Sequence, residues 1–525
     1  MTMGPPQAAA ALREAVAIGA DRAVHLSDRV FAVADTIGTA RTLALALQKE
    51  SFDLVLCGRK TIDSETWQVP PEVAAFLGVP HLTNVAAIEA GDGRLRVVRE
   101  TDTGEDIYAL EPPSVLSVAR AITARGAEAD EARIDVWTAH DLVDDLRNYD
   151  RRFGQAGSPT RVLAVRDVTP ERARRHPASA SDAVAAMTSL LADRPSEEVS
   201  WEKPPHAAEE PAASYDCWTL LELDGGRPTR HALELLARGR ALSGKLGGKN
   251  VALIAGHGVE SAAREAGRYG ADVVFDVDDA SLAQYEPEAW TAALCEVVRR
   301  HRPHVLLIPA SAFGRDVGPR VAGELELGMT GDCVGVDIAR AGRLLQTKPA
   351  YGGNIVSVIM GATTPQLATV RARMYAPLEP RDDAVPEVRH ARLKHGAEPR
   401  IQLVERRRAD ASGLALDATD VVVVVGTNVG KPDVEELRAL DAPVAGTHGA
   451  CEEGWLPRRL EVGLYGRPLA PRVLIAVGVE GNVEDLAGFV KAAVVVVIGP
   501  PVDWADVVVD DDWRAVLPHL LAAVP

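Results

Sequence analysis

Apolar and polar positions alternate along this chain in blocks that predict strands and helices in turn. The stretch His304–Val336 carries the clearest block. Its short apolar run, Val305–Ile308, predicts a buried parallel strand. A turn of small residues follows, then a helix opened by Asp316 and Pro319. Such a turn sets backbone N–H groups and a helix N-terminus beside the strand's carboxyl end, where α/β sheets bind phosphates. An ordinary strand–helix turn uses the same residues, so one loop alone decides nothing.

The pattern recurs. Asp53–Val85 repeats the order of strand, Gly-Arg turn, Asp, Pro and amphipathic helix ending at glycine. Gly19-Ala20-Asp21 precedes it as Gly270-Ala271-Asp272 precedes the other block, about 250 residues later. A duplication of this period predicts two copies of one domain around a pseudo-twofold axis. The first copy opens on a helix, Gln7–Ile18, and a strand, Arg22–Leu26, without the first strand of a doubly wound domain. Leu95–Glu100, Ile107–Leu110 and Val115–Val118 alternate at period two and predict antiparallel strands. Asp182–Leu191 predicts a helix capped by Ser181. The acidic, proline-rich Ser196–Ala213 predicts an interdomain linker, and the charged residues 376–412 a second boundary. The last block alternates strands and helices again and predicts another parallel sheet.

Length and charge narrow the picture. A chain of 525 residues is too long for one core and predicts about three domains. Its 47% apolar and 25% charged residues are those of a globular protein. The net charge of −18 argues against nucleic acid and anionic membrane surfaces as partners. The five cysteines are scattered without a CxxC, as expected of reduced thiols in a cytoplasmic protein. No apolar run approaches the ~20 residues of a membrane span, and the first residues lack the apolar core of a signal peptide.

Two glycine loops are candidates for chemistry. The strand Val473–Gly478 runs into Val479-Glu480-Gly481-Asn482, the strand, turn and helix of a nucleotide cradle, although Glu480 would repel a phosphate there. Gly463-Leu464-Tyr465-Gly466-Arg467 adds a cation to pair with a pyrophosphate and a ring to stack. Both loops also read as plain turns. No catalytic triad, HExxH or Walker lysine motif is present. Duplicated nucleotide-type domains without catalytic residues point to a carrier whose cofactor supplies the chemistry.

With these residues in hand, the chain resembles a fusion of the two subunits of electron transfer flavoprotein, β-like first and α-like second. The β-like signature is Gly4–Gln7, Ala17–Arg22, Asp53–Gln68 and Ala156–Thr160. The α-like signature is Gly314–Asp337, Gln346–Asn354, Gln366–Arg371 and Ile475–Gly478. The resemblance implies an α/β fold with two homologous parallel-sheet, nucleotide-binding-like domains (adenine nucleotide alpha hydrolase-like) and a C-terminal Rossmann-like FAD-binding domain. It implies domains at residues 1–197, 214–395 and 413–525, with 198–213 as linker.

The family implies a non-catalytic electron carrier. It would take electrons from a flavin-dependent dehydrogenase and pass them to a quinone-linked oxidoreductase or another acceptor. FAD is implied in the last domain, at Asn428, Thr447, His448, Gly463, Tyr465, Gly466, Arg467, Gly478, Val479, Gly481, Asn482 and Asp485, with Arg315 reaching across from the base. AMP or a second FAD is implied in the β-like half, near Cys57, Gly58, Asp63, Thr66 and Gln68. A separate subunit completing the first domain is a further implied partner. The chain departs from the family's flavin loops. Thr427-Asn428 replaces an arginine, Thr447-His448 a Ser-Arg pair, and Leu464-Tyr465-Gly466-Arg467 the usual Gln-Thr-Gly-Lys. Glu480–Asp485 replaces Ser-Gly-Ala-Ile-Gln-His, and Gly499-Pro500-Pro501 replaces Asn-Lys-Asp. A hydrogen bond to a charged phosphate is worth about 1.5–3 kcal/mol, and these replacements remove several donors. The alternative is a non-redox scaffold that keeps a nucleotide only in the β-like half. A carrier should keep an open slot between Gly463–Arg467 and Gly478–Asn482. A scaffold would fill it, with Tyr465 and Glu480 as plugs.

Overall fold

The computed structural model describes the chain except residues 62, 92, 120–133, 144–151, 168–170, 194–199, 207–214, 351–354, 394–399, 409–415, 417–418, 441, 467–468, 490 and 525. The chain is mixed α/β, with mostly parallel sheets.

The α-like half holds a seven-stranded parallel sheet. Its spatial order is Met329–Cys333, Gln366–Val370, Val305–Pro309, Cys217–Leu220, Asn250–Gly256, Val273–Asp278 and Glu387–His390. Val305–Pro309 is buried throughout, as a run apolar on both faces requires. The helix after it spans Gly314–Leu325. Asp316 does not cap that helix. It is fully buried, and its carboxylate accepts from Thr83 N (3.0 Å), Thr83 Oγ1 and the Tyr285 hydroxyl (2.6 Å). Burial alone would raise this carboxyl, but Arg99 and His81 outweigh it and hold the group well below the usual range. Asp316 therefore ties the two halves together.

Among the described residues, the β-like half repeats this plan without a counterpart of Cys217–Leu220. Its described strands fall into two sheets. Thr2–Met3, Ala23–Leu26 and Ile134–Trp137 form a parallel trio, while Leu54–Gly58 lies at the edge of a six-stranded mixed sheet. The duplicated triplets match Thr2–Met3 to Asn250–Gly256, and Leu54–Gly58 to Val305–Pro309. In the α-like half Cys217–Leu220 separates those two strands. No described strand does so in the β-like half. Leu54–Gly58 is consequently half-exposed, with Leu56 54% accessible.

The two halves interlock. The duplicated helices Val69–Leu77 and Gly314–Leu325 pack on each other, so closely that a Cβ on Gly323 would lie 2.7 Å from that of Ala75. Each half also lends a strand. Thr160–Asp167 pairs antiparallel with Ile355–Gly361, and Ile401–Arg408 with Gly104–Leu110.

The last domain is a five-stranded parallel sheet ordered Val444–Gly446, Val421–Val425, Val473–Val477, Val494–Ile498 and Val507–Val509. Its valine-rich strands are buried on both faces, worth about 1.5–3 kcal/mol per side chain. One cover comes from far upstream. The helix Ala180–Ala192 sets Ala183, Met187, Leu190 and Leu191 into this core. Its cap is Ser179, whose hydroxyl accepts from Asp182 N at 3.2 Å, in place of the expected Ser181. Residues before it are clamped too. Arg172 meets the buried Asp506 at 2.9 Å, and the same carboxylate accepts from Ala173 N at 3.0 Å. Although the first domain is expected over 1–197, residues 171–192 lie with the last one.

Candidate site at the junction of three domains

The duplicated loops and the last domain enclose a cavity of about 1040 Å³. That is at the upper end of ligand-site volumes. The chain is strongly acidic, yet the cavity wall carries twelve Lys or Arg against eight Asp or Glu. Arg59 and Trp67 reach it from the β-like half, Arg315 and Arg371 from the α-like half, and Arg459 and Lys491 from the last domain.

Trp67 stands at the meeting point. Arg315, Arg59 and Lys60 all approach its ring, at 4.7, 5.1 and 5.5 Å from the centroid. Beside it lies a compact charge network. Asp332 accepts from Arg315 Nη2 (2.6 Å) and Arg371 Nε (2.7 Å). Glu65 lies 3.6 Å from both Lys60 and Arg371, and its carbonyl accepts from Lys348 Nζ at 3.2 Å. Burial would raise the Asp332 carboxyl, but Arg315, Arg371 and Lys348 hold it far below the usual carboxylate range. The cations respond the opposite way. Burial lowers Lys348 against the pull of Asp332, burial and Arg371 lower Lys491, and burial brings Lys60 down to about 8. Like charges brought to 4 Å cost about 4 kcal/mol per pair at an effective dielectric of 20. The network therefore favours an added anion.

The expected flavin residues of the last domain lie at its strand ends, but their turns close on the protein itself. A Cβ on Gly481 would lie 2.1 Å from the Trp504 indole, and one on Gly478 2.7 Å from the Val429 side chain. A Cβ on Gly463 would meet Glu484 O at 2.7 Å, and one on Gly466 would meet Glu461 O at 2.1 Å. The Tyr465 hydroxyl donates to Glu484 at 2.7 Å, and its carbonyl accepts from Arg59. His448 sits between Glu461 and Glu452, at 2.9 Å from each. Thr447 and Val479 are buried. Asn482 accepts from Asp485 N at 2.8 Å. Burial and Glu480 push the Asp485 carboxyl up to about 6. Asn428 is exposed, with its N–H on Gly478 O at 3.0 Å. Arg467 lies outside the described residues. Trp504 packs on Gly481 and Glu484 takes the Tyr465 hydroxyl, while Tyr465 and Gly466 line the junction cavity and Glu480 is exposed. A diphosphate does not fit the acidic, self-packed turn at Gly478–Asn482. The junction cavity fits one in both size and charge.

In the β-like half, Gln68 is buried and donates to Thr36, Glu72 and Met329 O, at 3.2, 3.1 and 3.2 Å. Thr66 O and the Gln68 amide press against Gly331 of the α-like half. Asp63 is exposed. Gly58 has open space beside it, and burial pushes the Cys57 thiol up to about 11. The structure thus sets Thr66 and Gln68 into the seam between the halves. Arg315 does face the junction, anchored by Asp332 and Trp67. The sequence reading missed Lys491 and Arg459 because a lone cation carries no motif. Arg371 was visible as the end of Gln366–Arg371, but not as part of a charge network.

The sequence pattern of the electron transfer flavoprotein domain matches residues 1–142 and 217–394. That of the electron transfer flavoprotein FAD-binding domain matches residues 415–490. The protein FixB of Clostridium saccharobutylicum is 32% identical over 318 residues, covering 58% of this chain and 95% of FixB. The electron transfer flavoprotein subunit alpha of Thermoanaerobacterium thermosaccharolyticum is 30% identical over 323 residues, covering 59% and 97%. The acryloyl-CoA reductase electron transfer subunit beta of Anaerotignum propionicum is 28% identical over 351 residues, covering 59% and 95%. No helix among the described residues is long and apolar enough to cross a membrane. The chain belongs to the electron transfer flavoprotein family and carries that family's FAD-binding domain.

Proposed function

We propose that this chain is a single-polypeptide electron carrier that takes electrons from a flavin-dependent dehydrogenase and yields them to a separate acceptor, a quinone-linked oxidoreductase being one candidate. The observation that carries the reading is the cationic cavity where all three domains meet. FAD, when bound, supplies reversible electron transfer. The chain's own residues supply position and charge. Trp67 offers a ring face, Arg315 and Arg371 fix the cationic floor, and the last domain forms the opposite wall. No nucleophile or acid–base pair is required of the protein. The family relationship supports a dehydrogenase as donor, and the acryloyl-CoA reductase electron transfer subunit among its relatives supports exchange of electrons with a separate redox enzyme.

The test is anaerobic photoreduction of the FAD-loaded chain, followed by addition of a one-electron acceptor. The expected result is full bleaching and full return of the flavin absorption over repeated cycles. A loaded chain that cannot be cycled would overturn the carrier role.

A further inference from the structure

We propose, resting on the flavin-carrier reading, that the phosphates of the bound dinucleotide are held at the junction by Lys491, Arg371 and Arg315, and not in the glycine turns of the last domain. Two independent observations carry this. The first is uncompensated charge. Lys60, Arg315, Lys348 and Arg371 gather around the carboxylates of Glu65 and Asp332, and Lys491 lines the same cavity as Arg315 and Arg371. Lys491 stands close enough to Arg371 to feel its charge, and no carboxylate pairs with it among the described residues. A half-buried ammonium repelled by a neighbouring guanidinium is completed by an anion between them. The second is the state of the turns. Trp504, Val429 and Glu484 O occupy the space that Gly481, Gly478 and Gly463 would otherwise open to a ligand, while Gly466 lines the junction cavity. Glu480 and Glu484 add negative charge there, both acting on the Asp485 carboxyl.

The placement has a mechanical consequence. Lys491 belongs to the last domain, whereas Arg371 and Arg315 belong to the base. A phosphate group shared among them bridges the junction, so the ligand itself pins the last domain to the base.

The experiment titrates FAD, followed by flavin fluorescence, and inorganic pyrophosphate, followed by calorimetry, into the flavin-free full-length chain. The variants are Lys491→Gln, Lys491→Arg and Glu480→Gln, each checked for an unchanged thermal transition. Lys491→Gln is expected to weaken both probes about tenfold or more, Lys491→Arg to restore them, and Glu480→Gln to leave both unchanged. FAD affinity indifferent to Lys491→Gln, or tightened by Glu480→Gln, would place the phosphates in the turns and overturn the inference while sparing the carrier role. If FAD does not bind at all, the carrier role fails and pyrophosphate alone decides. Loss of pyrophosphate binding in Lys491→Gln then supports the cationic site, and no pyrophosphate binding to the parent chain overturns it.

Discussion

The Arg315 guanidinium lies 4.7 Å from the centre of the Trp67 ring, so the two duplicated loops meet face to face at the floor of the junction. Arg59 and Lys60 share the same ring. Each such contact is worth about 0.5–2 kcal/mol, more as it is desolvated. Trp67→Ala is therefore expected to lower the thermal midpoint by several degrees and to weaken FAD binding. Trp67→Phe should recover most of both. Calorimetry together with a flavin titration reads the pair of effects. An unchanged midpoint in Trp67→Ala would show that the ring is not what holds the cations.

Asp332 is buried and serves two guanidinium groups. Removing one member of a buried ion cluster costs about 3–5 kcal/mol, because the remaining charges lose their partner. Asp332→Ala is expected to destabilise the base by that order in denaturant unfolding. High concentrations of pyrophosphate should recover part of the loss.

Glu72 gives a pH dependence with a definite sign. It is completely buried, accepts from Thr36 Oγ1 at 3.0 Å and Gln68 Nε2 at 3.1 Å, and leaves Oε2 without a partner. Burial, with Asp35 second, pushes it up to about 8 from 4.5. Between those two values the unfolded chain has released a proton that the folded chain keeps. Stability from this group is thus complete below about 4.5, falls as pH rises, and is gone above about 8. Glu72→Gln keeps the shape without the proton. It should gain on the parent by roughly 2–5 kcal/mol from the acid to the alkaline end of that window. Denaturant midpoints across the window measure it, and parallel curves for the two proteins would refute the assignment.

The fold was legible because strand runs such as Val305–Ile308 and Val421–Val425 are apolar on both faces, and because the Gly-Ala-Asp triplets mark the duplication. Strand exchange was not legible. Ile401–Arg408 carries three consecutive arginines, and only its pairing with Gly104–Leu110 makes it a strand. Nor could local pattern show that Ala180–Ala192 covers a sheet more than two hundred residues away in sequence. At the site, motif reasoning found the glycine turns but not what fills them. Trp504 lies on Gly481 through tertiary packing, which no spacing records. The junction cations come from three separate segments and share only a location.

Arg172 and Asp506 hold the upstream arm to the last domain in a buried pair at 2.9 Å. Asp506→Ala also strips acceptors from Ala173 N and Val495 N. The expected loss is about 3–5 kcal/mol. It should appear as an early, separate transition of the last domain, with the base melting near its original temperature. A single cooperative shift of the whole chain would show that the arm is not an independent clamp.

The central claim is that the junction of three domains holds a flavin dinucleotide. The visible absorption spectrum of the purified full-length chain, before and after incubation with FAD and removal of the excess, tests it most directly. The expected result is a flavin spectrum, with a single FAD released per chain on denaturation. A chain that stays colourless after incubation would contradict it.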